Sequence, residues 1–102
     1  MTYESAIAAL SDPTRRLIFE ELVKDGPHPV GQVAARVPVS RPAVSQHLAV
    51  LAEAGLVRVE AQGTRRLYRA DPKGLEALKD WLEGMWADAL SRFSTEIDKG
   101  RH

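Results

Sequence analysis

Ser40, Arg41, Ser45 and Gln46, with His47 beside them, crowd one side of the run Ser40-Arg41-Pro42-Ala43-Val44-Ser45-Gln46-His47-Leu48-Ala49-Val50-Leu51-Ala52-Glu53-Ala54-Gly55. At 100° per residue, Val44, Leu48 and Leu51 share one face, while Pro42, Ser45, Gln46 and Ala49 point away from it or to its edge. A helix whose first turns are small, polar and outward-facing can enter a major groove and aim those side chains at base edges. The Gln46 amide matches adenine, the Arg41 fork matches guanine or a phosphate, and the Ser45 hydroxyl suits either. Ser40 suits an N-cap, and a helix N-terminus also favours a phosphate, so capping and contact are both open for it. Pro42 falls in the first turn, where a missing N–H costs nothing. His47 lies toward the flank of the aliphatic stripe, where core packing and a place beside a duplex both remain open.

A second cationic cluster is Arg65 and Arg66, in Gly63-Thr64-Arg65-Arg66. An Arg-Arg pair in a turn is either a solvated tip or a phosphate and minor-groove contact. Arg15 and Arg16 open another helical segment, where they meet a phosphate backbone or pair with Glu20 one turn on. The chain has no net charge, yet residues 36–69 carry six arginines against Glu53 and Glu60, a net +4, between flanks of net −2 each. The bland alternative for that positive middle third is a solvated face.

The elements that must position these groups are legible from pattern. Residues 3–10 read as a short helix with Ile7 and Leu10 on one side. Asp12 and Pro13 restart a helix over residues 13–24, a largely buried one with Leu17, Ile18, Phe19, Leu22 and Val23, closed by Asp25-Gly26-Pro27. Pro29 begins a third helix whose face is Val30, Val33, Ala34 and Val37, and Pro38 stops it. The fourth helix follows Ser40 and closes at Gly55, so residues 30–55 form a helix-turn-helix. Val57, Val59 and Ala61 alternate with polar residues, Gly63-Thr64 turns, and residues 66–70 return, giving a β-wing over residues 56–70. The last helix, residues 72–97 behind Asp71, gathers Leu75, Leu78, Leu82, Met85, Trp86, Ala89, Phe93 and Ile97 within about a third of its circumference. That stripe exceeds what a domain of this size covers, so a second copy is expected on it; folding back over its own core is the alternative, and Trp81 could serve either. The expected fold is mostly α (α+β): one winged helix-turn-helix domain, residues 1–102, of order α1-α2-α3-α4-β-wing-β-α5, pairing through the first and last helices.

Several classes are excluded or disfavoured. With no cysteine, disulfides and thiolate chemistry are impossible. No apolar run approaches the roughly 20 residues needed to span a bilayer, and no signal segment opens the chain, so a cytosolic protein is expected. No Ser/His/Asp set, carboxylate pair or glycine-rich phosphate loop stands at usable spacing, so neither an enzyme nor a cofactor is expected.

Three runs, Leu10-Ser11-Asp12-Pro13-Thr14-Arg15-Arg16, Val39 through Val57 with Ser45-Gln46-His47-Leu48 at its heart, and Gly63-Thr64-Arg65-Arg66, resemble the ArsR/SmtB family of bacterial winged helix-turn-helix repressors. The resemblance spans about residues 3–93. It implies a cytoplasmic, nucleoid-associated homodimer that binds an imperfect palindrome in promoter DNA and blocks transcription. It implies DNA contacts from Ser40, Arg41, Pro42, Ser45, Gln46, His47, Arg65, Arg66 and Arg15, and a dimer seam of Ile7, Leu10, Leu78, Leu82, Met85, Trp86, Ala89 and Phe93. Metal-sensing members carry Cys, or His with carboxylates along the last helix. This chain has no Cys, and His28, His47 and His102 lie outside the body of that helix, so no metal is expected. The tail Leu78-Lys79-Asp80-Trp81-Leu82-Glu83-Gly84-Met85-Trp86 looks more like the metal-independent branch, whose members are often autorepressors or answer small molecules. A winged-helix module for protein–protein assembly and a regulator with an apolar effector near Trp81 and Trp86 are the alternatives.

Overall fold

A computed structural model describes the backbone of residues 2–24 and 26–100, with side chains described as far as Phe93. Five helices and a small sheet follow in the order α1 (Tyr3–Leu10), α2 (Pro13–Lys24), β1 (His28–Pro29), α3 (Val30–Ala35), α4 (Arg41–Glu53), β2 (Val57–Gln62), β3 (Arg65–Ala70) and α5 (Pro72–Gly100). This is a winged helix-turn-helix. Its core joins Ile18, Phe19 and Leu22 of α2, Val33 of α3, Val44, Leu48 and Leu51 of α4, and Leu56 and Val57 at the foot of the wing.

The helix ends follow from local chemistry. Thr2 Oγ1 accepts the Ser5 N–H at 3.1 Å, and Asp12 Oδ1 accepts the Arg15 N–H at 3.0 Å. Ser40 Oγ accepts from Ala43 N, and Asp71 Oδ1 from Lys73 N, so each expected cap is made. The α4 terminus is a Schellman turn: Gly55 N bonds Ala52 O and Leu56 N bonds Leu51 O, both at 3.0 Å, with Gly55 at φ +78°. Gln62 and Arg65 pair across the two-residue turn Gly63-Thr64, where Gly63 has φ +64° and no other residue type has a positive φ among the described residues, the pattern of a II′ hairpin.

Several expectations need correction. Pro29 does not begin the third helix; it is extended (φ −69°, ψ 155°) and, with His28, forms a strand on β3, giving a sheet of order β1-β3-β2. Two residues are too short for periodicity to register. Val37 is buried but lies past the end of α3. Val59 and Ala61 are exposed, because the wing leaves the core after Val57. On α1 the inward residues are Ala6 and Ala9, fully or nearly fully buried, and Ile7 stays 39% exposed, as the uncovered apolar face expected of this helix requires. On α2, Leu17 and Val23 remain at the surface. The last helix runs to Gly100 rather than 97, so residues 98–100 continue it; the Ile97 side chain, Asp25 and residues 101–102 lie outside what is described. Its 29 residues span about 43 Å. The radius of gyration is 18.1 Å, against about 13 Å for a compact chain of this length, because α5 reaches far past the core.

Candidate nucleic-acid interface

Burying Val44, Leu48 and Leu51 to zero exposure fixes the rotation of α4. Arg41, Pro42, Ser45, Gln46 and Ala49 are consequently exposed, and His47 sits half-buried at the boundary. The outward face expected from periodicity is thus present. His47 stands close enough to Asp12, at the start of α2, for its charge to act on that carboxyl. Asp12 is held below the ordinary 3.8, chiefly by the Arg15 backbone N–H, which outweighs the opposing desolvation, with lesser help from the Thr14 N–H and from His47 and Arg15.

The wing supplies the second group. Arg65 pairs opposite Gln62 and Arg66 opposite Ala61, so the two arginines project from opposite faces of the hairpin. β3 is the central strand, but β1 pairs only with Leu67 and Tyr68, leaving the tip held by β2 alone. Farther down, Arg58 and Arg69 face each other across the strands, a repulsive pairing that Glu60 relieves. Its Oε1 lies 3.4 Å from Arg69 Nη1 and 3.8 Å from Arg58 Nε. Arg36 likewise has Glu21 at 3.9 Å.

What remains is informative. Arg41, Arg65 and Arg66 have no hydrogen bond or ion pair among the described residues, and all three line one open cleft of about 550 Å³. Its walls are Gly31 and Gln32 at the start of α3, Arg41 at the tip of α4, and Thr64 and Tyr68 of the wing. Gln32 Oε1 is 2.9 Å from His28 Nδ1, which ties this wall to the strand that anchors β3. Three arginines lining one concavity, with Arg65 and Arg66 on opposite faces of the wing tip beside it, suit a polyanion whose phosphates run between helix and wing. The contribution of Gln32, Thr64 and Tyr68 was not foreseen, since only the β1–β3 pairing brings them to Arg41.

Arg15 and Arg16 lie elsewhere. Arg15 Nε donates to Ala9 O at 2.6 Å and Arg16 Nη1 to Leu10 O at 2.9 Å, closing the last carbonyls of α1. Neither pairs with Glu20 among the described residues.

The far face of the molecule is apolar. Leu82, Met85, Trp86 and Phe93 of α5 are 45–65% exposed, and Leu90, missed from the sequence, is 53% exposed. Leu10 and Leu78 pack partly on the core, and Ala89 is half-buried. Trp81 is resolved toward its own chain: its ring stacks on Tyr3 of α1, centroids 5.0 Å apart and planes within 3°. Among the described residues no three His, Asp or Glu side chains gather as a metal site, and no helix is long and apolar enough to cross a membrane.

The chain is similar to known proteins in sequence and fold. Residues 10–60 match the family model described as a helix-turn-helix domain. The HTH-type transcriptional regulator Rv2034 of Mycobacterium tuberculosis is 51% identical, covering 95% of this chain and 92% of its own. The solved ArsR-like transcriptional regulator from Rhodococcus sp. RHA1 has 35% identity and a TM-score of 0.80, covering 91% of this chain and 87% of that one. The homodimeric winged helix-turn-helix DNA-binding domain of Mb0332 from Mycobacterium bovis has 26% identity and a TM-score of 0.65, covering 83% and 77%.

Proposed function

The chain belongs to the ArsR family of winged helix-turn-helix transcriptional regulators, and on that footing we propose that it acts as a homodimeric repressor of a palindromic promoter operator. DNA-binding regulation, rather than enzymatic catalysis, is what the family does. The observation that carries the finer reading is that the three arginines unpaired among the described residues all line the cleft between α4 and the wing. In this reading Ser45 and Gln46 meet base edges, while Arg41, Arg65 and Arg66 grip the flanking phosphates. Ser40 caps α4 and offers its N-terminus to the backbone, with Pro42 and His47 at the margins of the contact. Arg15 is the least supported DNA contact, since its guanidinium already holds α1 on α2.

A dimer follows from the uncovered stripe on α5 beside Ile7, with Leu10, Leu78 and Ala89 at its edge. The homodimeric state of Mb0332 supports it. Two reading helices would then enter successive major grooves, about 34 Å apart, and exclude polymerase sterically. The test is retention of the chain's own promoter fragment in a gel shift, with dimer mass by light scattering. A stable monomer that retains no genomic fragment would refute it and leave the protein–protein module standing. An apolar effector on the trough of Leu75, Leu78 and Leu82 is the second reading, since that concavity is almost wholly apolar; the dimer seam competes for the same surface.

A further inference from the structure

Glycine meets glycine where the reading helix ends and the long helix begins. The Schellman turn after α4 leaves the Gly55 carbonyl facing the first turn of α5, and Gly74 is buried directly against it. A Cβ at position 74 would overlap the Gly55 carbonyl oxygen and stand 3.0 Å from Leu56 N. Asp71 N donates to Leu56 O at 2.8 Å across the same junction. The obstructing atoms are backbone, so they cannot swing aside as a side chain would. Glycine weakens a helix relative to alanine, so its presence in the first turn of α5 has a steric rather than a conformational reason. The contrast is internal: Gly84, in the same helix, has nothing within 4 Å, and helical geometry puts it opposite the apolar stripe.

We propose that Gly74 is a positioning residue that sets how far the reading helix stands from the dimer axis, and thereby the half-site spacing the dimer accepts. The proposal rests on the DNA-reading dimer above. If α5 carries the two-fold axis and α4 the base contacts, the junction at Gly55, Leu56, Asp71 and Gly74 is a backbone link between them, beside the packing of both on α1. Admitting a methyl there requires a displacement of about 1 Å to restore van der Waals contact. The two-fold axis applies it twice, against a rise of about 3.4 Å per base pair.

The experiment uses the full-length dimer. Gly74→Ala and Gly84→Ala are each titrated against palindromes whose half-sites are moved apart or together by one base pair. Expected for Gly74→Ala is a tenfold or greater loss on the spacing the parent prefers, a shifted preference, and binding to a single half-site within twofold of the parent. Gly84→Ala should keep the parent profile. The chain has no cysteine, so Ala49→Cys on α4 gives one spin label per protomer, and the label-to-label distance should move with Gly74→Ala alone. An unchanged profile and an unchanged distance in a folded Gly74→Ala dimer would overturn the proposal. Should that variant not fold, the parent decides: a profile flat to one base pair means a slack link and overturns it, and a tenfold preference supports it. If the parent selects no palindrome at all, the repressor reading fails separately, and the label distances in the free dimer still decide the link.

Discussion

Replacing Arg66 with alanine tests the DNA interface most directly. Three arginines per protomer are unpaired around the cleft, so a dimer brings six to the duplex. Each phosphate neutralised contributes about −0.9 to the slope of log affinity against log salt, so the parent slope should be about −5. Between 50 and 200 mM salt that is a loss of about 10³ in affinity. Arg66→Ala removes two contacts per dimer, which lowers the slope to about −4 and the loss to about 10². Arg58→Ala is the control, because that guanidinium already shares Glu60 with Arg69 in the free protein, and its slope should change less than that of Arg66→Ala. Fluorescence anisotropy on a labelled operator at four salt concentrations reads both. Parallel slopes for the parent and Arg66→Ala, or an Arg58→Ala effect as large as that of Arg66→Ala, would show that pairing within the free chain does not select the phosphate contacts.

Gln46→Ala should relax preference at one base pair per half-site, costing about 1–3 kcal/mol, which selection from a random duplex pool measures; an unaltered preference would remove Gln46 from the base-reading set. Trp86→Ala takes away a ring that is 65% exposed in the protomer, and at a dimer seam should raise the dissociation constant roughly 100-fold by sedimentation. An unchanged dimer mass across the concentration series would place the seam elsewhere. Asp12→Ala should destabilise the fold at neutral pH, and the difference should shrink in acid. The carboxyl is depressed in the folded chain, so its stabilisation is present above the unfolded value near 3.8 and is lost as pH falls through the lower folded value. Thermal midpoints at pH 7 and pH 3 check it, and an equal gap at both would rule out the charged cap.

Sequence pattern found α2 and α4 with their bounds because each has a cap and an aliphatic stripe that recurs at 3.6 residues, and found α1 from Ile7 and Leu10, although its inward residues are Ala6 and Ala9. The outward face of α4 followed, since Val44, Leu48 and Leu51 leave it one possible rotation. Features made by long-range pairing were not legible. The strand His28–Pro29 exists because β3 lies beside it, and nothing within two residues announces that. The same pairing brings Gln32 and Tyr68 to the cleft. Arg16 and Glu20 stand at helical pair spacing, yet the Leu10 carbonyl of α1 binds the arginine instead, a contact between elements. Val59 alternates as a buried strand residue would, but the hairpin departs from the core before reaching it.

Net charge is a poor guide to nucleic-acid binding in this chain, and the structure shows why. Of the six arginines in residues 36–69, Arg36 stands beside Glu21, and Arg58 and Arg69 share Glu60, so three have a carboxylate within about 4 Å. The other three are uncompensated and adjacent to one cleft. At physiological salt a charge is felt over about 8 Å, so a phosphate entering that cleft responds to local guanidinium groups far more than to the total over the chain. A neutral total also limits attraction to arbitrary duplex, since the flanking segments of the chain are net acidic. Glu60 then has two effects at once: it relieves the Arg58–Arg69 repulsion that would open the hairpin, and it confines usable positive charge to the tip. In the proposed reading, concentrating charge where α4 and the wing meet makes affinity depend on docking α4, the condition under which Ser45 and Gln46 would discriminate between sequences.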